Sequence, residues 1–89
     1  MANKTLNLSS GLVRDWVPVT PNDGTDNMTS GSGDIVVGFY VTGGGAVAFI
    51  TEGGTRTVTY LSGTTVPCSG VTRIKSTGTT ATGIFSLVV

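Results

Sequence analysis

The sequence predicts an all-β protein, a small antiparallel β-sandwich, jelly-roll-like, of about seven or eight short strands. Three observations predict it. Glycine supplies 14 of the 89 residues, Thr, Ser and Val are abundant, and Ala, Leu, Glu and Lys are scarce. Branched side chains suit a pleated surface and glycines punctuate its turns. No window of about 11 residues or more carries a 3.6-residue apolar period. Short segments that alternate in polarity are instead separated by glycine turns at close intervals, the signature of antiparallel neighbours in two packed sheets.

The elements follow in order. KTLNLS at 4–9 alternates, with Leu6 and Leu8 on one face, and residues 1–16 are expected to form an N-terminal strand or arm. LVRDWVPV at 12–19 is apolar but contains Pro18, which suits an edge or a strand end. Residues 20–34 hold little that packs apart from Met28 and read as a long polar loop of the single 1–89 domain, its length suggesting contact with a partner. DIVVGFYV at 34–41 places Ile35, Val37, Phe39 and Val41 on one face, with Gly38 marking a bulge or a close approach. The glycines at 43–45 and EGG at 52–54 are expected hairpin turns around AVAFIT (46–51) and TRTVTYL (55–61). After Gly63 and TTVP come VTRIKS (71–76) and IFSLVV (84–89), joined by STGTTATG, which reads as the turn laying the last strand beside VTRIKS. The expected core is Ile35, Val37, Phe39, Phe49, Val58, Ile74, Ile84, Phe85 and Leu87.

Composition narrows the function. A domain of this size buries only about 60% of its unfolded surface, so its core is marginal and usually reinforced. One cysteine, Cys68, allows no intrachain disulfide, and the absence of histidine argues against zinc. Reinforcement by partner subunits remains. Charged residues are 11% of the chain, the net charge is zero and mean hydropathy is +0.28, which suits a surface covered by neighbours. Nucleic acid is not an expected partner, because Lys4, Arg14, Arg56, Arg73 and Lys75 are scattered and form no basic stripe. Nor is a membrane, since no stretch approaches the ~20 apolar residues of a spanning helix. Met1-Ala-Asn-Lys leads into polar TLNLSS rather than a secretory h-region, so the protein is expected to be made and kept in a cytosol, or in something assembled there.

No catalytic set is legible, and the chain is not read as an enzyme. Cys68 in VPCSG has no histidine base and reads as a small gap-filling residue. Asp23 and Asp26 in PNDGTDN lack the i, i+2, i+4 spacing of a calcium loop and read as turn formers. The glycine clusters match neither a P-loop nor a dinucleotide fingerprint, and no helix follows them. The threonines of TRTVT have no recurring period and read as exposed sheet positions. No cofactor is implied. Trp16, Tyr40 and Tyr60 are core or interface anchors, or alternatively a stacking platform for a glycan.

The order of motifs supports a more specific expectation. VTPND (19–23) precedes GFYV, then GGGAVAFITEGGTRTVTYL, then TTVPCSGVTRIKSTGTTATGIFSLVV. Over roughly residues 17–89 this resembles the small spike-base proteins of tailed bacteriophage heads and phage-like gene transfer particles, through Val66, Pro67, Val71, Arg73, Ile74, Thr77, Gly78, Thr79, Thr80, Ala81, Thr82, Ile84 and Leu87. The first 16 residues fall outside the match and 24–33 is richer in Gly, Ser and Thr than the family pattern. The resemblance implies a virion structural protein on the capsid surface. Its role would be a decoration or cement protein, or the base of a head spike or fibre. The implied partners are the major capsid protein, copies of itself as a homotrimer or homopentamer, and a head fibre or spike. The residues expected at capsid or subunit contacts are Trp16, Val17, Val19, Pro21, Asp23, Arg56 and Tyr60. The alternative is a glycan- or receptor-binding module of a phage particle.

Overall fold

A computed structural model describes residues 13–29 and 35–89; the expected strand at 4–9 lies outside them. The described chain is all-β, with strands β1 (Asp15–Pro18), β2 (Val36–Gly43), β3 (Gly45–Thr51), β4 (Gly54–Tyr60), β5 (Thr64–Val66), β6 (Arg73–Ile74) and β7 (Thr82–Val88). They form a four-stranded sheet in the order β1-β7-β2-β5 and a three-stranded sheet in the order β4-β3-β6, with every pair antiparallel. The two sheets enclose one core. Phe39, Val41 and Ile84 come from the first, Val47, Phe49 and Ile74 from the second, and the Phe39 and Phe49 rings meet edge-on at 5.2 Å.

Several core expectations are corrected, each for a physical reason. A bulge interrupts the β2–β7 register between Val36 and Gly38. The extra residue resets the alternation, so Val36 packs against the core, and Ile35 and Val37 stay outside the buried cluster. Gly38 sits there because the Val66 carbonyl occupies the place of a Cβ. In β7 successive side chains take opposite faces, so Phe85 cannot follow Ile84 inward. Phe85 lies opposite Tyr40 on the outer face and is only partly buried; Leu87, opposite Trp16, shares that face but is 5% exposed, buried as expected. Val58 is 41% exposed, whereas Val47, directly opposite it on β3, is fully buried. Val71, Met28 and Val88 are buried as well, and Met28 pins the 19–29 segment to the core.

The turns also divide into two kinds. Glu52 and Gly53 form the expected hairpin between β3 and β4, whose ladder closes at Thr51–Gly54. The glycines at 43–45 make no hairpin: the chain passes from β2 in one sheet to β3 in the other. Gly44 allows this corner because a Cβ there would lie 2.8 Å from the Ser62 nitrogen. STGTTATG is likewise a crossing, since β6 pairs with β3 and β7 pairs with β1 and β2. It therefore does not lay the last strand beside VTRIKS.

Candidate interaction surface

The STGTTATG crossing has a structural task. β6 is only two residues long and leaves most of that edge of β3 unpaired. Threonine hydroxyls supply the missing acceptors. The Ala48 N–H donates to Thr79 Oγ1 and the Ala46 N–H to Thr80 Oγ1, each at 2.9 Å. The Lys75 and Thr80 N–H groups donate in turn to the carbonyls of Ala48 and Ala46, at 2.7 and 2.8 Å. Side chains thus complete a sheet edge that main chain alone does not.

The 19–29 segment closes the outer edge of β6 in the same manner. Asn27 mimics a strand: its Oδ1 accepts the Ile74 N–H at 2.9 Å and its Nδ2 donates to the Ile74 carbonyl at 2.9 Å and the Thr20 carbonyl at 2.8 Å. Asn22 caps the local turn, its Oδ1 accepting from the Gly24 and Thr25 N–H groups. Arg73 donates to Asp26 Oδ1 at 2.8 and 3.1 Å and to the Asp23 carbonyl at 2.9 Å. The Asp23 carboxylate accepts both the N–H and the hydroxyl of Thr77, which holds its pKa below the ordinary carboxylate value. The pair Asp23 and Asp26 is therefore committed to holding two loops together. Among the described residues no group of three or more His, Cys, Asp or Glu side chains converges as metal ligands would.

The exposed feature with binding chemistry lies on the outer face of the four-stranded sheet. β1 alternates, so Val17 turns into the core and Trp16 turns out. Trp16 is 50% exposed, with its ring 5.1 Å from Tyr40 and 6.4 Å from Phe85. Register places Pro18 opposite Phe85 and Leu87 opposite Trp16, so Pro18 and Leu87 share this face. The result is an aromatic patch on a rigid sheet, amphipathic through the Trp16 N–H and the Tyr40 hydroxyl. Such patches suit the centre of a protein interface.

The other expected contact residues are dispersed. Val17 and Val19 are buried, and Pro21 and Asp23 lie in the loop that closes β6. Arg56 is exposed on β4, its guanidinium folded onto the Gly53 and Thr55 carbonyls. The Tyr60 ring packs edge-on against Phe39 at 5.9 Å, and burial pushes its hydroxyl pKa up. Tyr40 is expected from the sequence as an anchor or stacking residue, whereas Phe85 is expected in the core and lies instead beside Trp16. The signal that finds Phe85 is the period-two alternation that removes it from the core.

A scan of protein-family models finds no match, and a search of curated proteins finds none. Among solved structures, the chain is similar to one in a structure described as the capsid of a native GTA (gene-transfer) particle computed with C5 symmetry. Identity is 30% and the TM-score 0.66, over 84% of this chain and 83% of that one.

Proposed function

The chain belongs to the family of that gene-transfer-particle capsid chain, a phage-like virion structural protein, and on this premise we propose that it is a capsid-surface accessory subunit that works by assembly. The observation that carries the proposal is likeness to a particle component over 84% of this chain and 83% of that one. In this reading the protein is a spike base or decoration protein, assembled in the host cytoplasm and retained on the virion. Copies of the chain assemble as a closed homotrimer or homopentamer, matched to the symmetry axis on which the ring sits. The Trp16–Tyr40–Phe85 face makes the contact with the major capsid protein or with a fibre above it. The 19–29 loop, with Pro21 and Asp23, forms the rim beside it. Val17 and Val19 act indirectly, by seating β1 so that Trp16 faces out.

Co-sedimentation of the purified chain with capsids lacking it tests the reading. Saturable binding supports it; a chain that stays in the supernatant at high concentration contradicts it. The Trp16–Tyr40 pair supports a second reading, in which the same rings stack on a glycan. Calorimetric titration with saccharides separates the two, since a capsid contact gives no heat with sugars.

A further inference from the structure

We propose that the free edge of β4 is a strand-addition site for a second copy of this chain, an inference that rests on the assembly proposed above. Register defines what the edge offers. The Ala46 and Ala48 N–H and C=O groups bond toward the 75–81 crossing, so Val47 and Phe49 turn theirs toward β4. Val58 and Arg56 lie opposite those two, which leaves the peptide groups of Thr55, Thr57 and Thr59 directed away from β3. Among the described residues β4 pairs only with β3.

The other three edges are blunted within the chain. β6 is covered by Asn22 and Asn27, which take the Ile74 peptide groups. On β1 the Trp16 N–H is taken by the Asp15 carboxylate at 2.8 Å, and Pro18 has no N–H. β5 has three residues and runs into Pro67. β4 has seven residues, no Pro and no Lys, and its single Arg56 folds back onto the hairpin. Proteins that stay monomeric seldom leave such an edge open.

The face of β4 that should be core is open as well. Val47 is 0% and Phe49 5% exposed, yet Val58, directly opposite Val47, is 41% exposed. Leu61, at the end of this flank, is 82% exposed. A strand added to β4 would satisfy the Thr57 and Thr59 peptide groups, the Thr55 carbonyl being already held by Arg56, and cover Val58 and Leu61 together. A second copy suits the site because the chain has zero net charge and 11% charged residues, so copies do not repel one another.

The test combines native mass with amide exchange on the full chain. Wild type is expected to form an oligomer in which the Thr57 and Thr59 amides exchange at least about 100-fold more slowly than in the dilute monomer. Thr57→Pro removes an outward N–H without touching the β3–β4 ladder, and edge strands tolerate proline. It is expected to run at the monomer mass of 9.0 kDa with an unchanged β-sheet spectrum. Val58→Glu, at an exposed position, is expected to do the same. An oligomer of unchanged mass in both variants overturns the inference, as does an oligomer whose Thr57 and Thr59 amides exchange freely. Protection of those amides in a monomer assigns the edge to this chain's own residues and also overturns it. A wild-type monomer that still binds capsids overturns the β4 site and leaves the capsid-surface reading standing, whereas failure to bind capsids strikes that reading instead.

Discussion

Both oxygens of the Asp23 carboxylate are held by Thr77, 54 residues away: Oδ1 accepts the backbone N–H at 2.9 Å and Oδ2 accepts the hydroxyl. The contact joins the 19–29 loop to the crossing that completes the β3 edge. Arg73 reinforces it from β6 through Asp26 and the Asp23 carbonyl. The residues whose order resembles a capsid-surface family, VTPND at one end and TRIKSTGTT at the other, are thus partners of one another.

Asp23→Ala is expected to lower the melting temperature at neutral pH, and Asp23→Asn by less, since the amide keeps one acceptor. The pH dependence has a definite sign. The Thr77 bonds lower the folded-state pKa below the unfolded value of about 3.9. The contribution is therefore fully present above that value and is lost as pH falls through the lower folded value. Thermal unfolding of wild type and Asp23→Ala from pH 7 downward should show the two curves converging below about pH 4. A gap that persists at low pH would assign the effect to something other than the carboxylate.

Asn27→Ala is expected to destabilise the fold by about 1–3 kcal/mol, because it strips a partner from the Ile74 N–H beside a fully buried side chain. Denaturant unfolding measures it. Asn27→Asp should restore the acceptor to the Ile74 N–H but remove the donor to the Thr20 carbonyl and leave the Ile74 carbonyl with the Asn22 N–H alone.

Gly38→Ala is expected to cost about 1–3 kcal/mol, as an overpacked position does. The new Cβ would meet the Val66 carbonyl, so β5 must shift or leave β2. Exchange of the Thr64–Val66 amides should rise selectively if the clash acts through β5.

Trp16→Ala should leave the fold nearly intact, because the ring is half exposed, and weaken capsid binding by about 30-fold or more, as loss of a central aromatic anchor does. Equilibrium binding to capsids, with a melting curve as control, checks it. A variant that binds like wild type would place the contact elsewhere on the surface.

What the sequence made legible follows from the reach of each signal. Alternation and glycine spacing are local, and they located β2, β3, β4 and β7 and the EGG hairpin. They could not tell a hairpin from a sheet-to-sheet corner, because glycine permits both; this is why 43–45 and STGTTATG were assigned the wrong kind of turn. A bulge is a one-residue event that Gly38 signalled without giving the new phase, so Ile35 and Val37 were misplaced. Val58 fits the core pattern in sequence yet is 41% exposed, although Val47 directly opposite it on β3 is buried, a difference that alternation along β4 alone cannot signal. The bonds of Asn27 and Thr79 are long-range, and nothing adjacent to either residue announces them.

The central claim is that this chain is a structural part of a phage-like particle. Quantitative mass spectrometry of purified particles, from the cells that make the chain, tests it most directly. The account predicts the chain in a fixed ratio to the major capsid protein, unchanged by salt washing and reduced when Trp16 is replaced by Ala. Particles that are complete and carry no copies of the chain would contradict it.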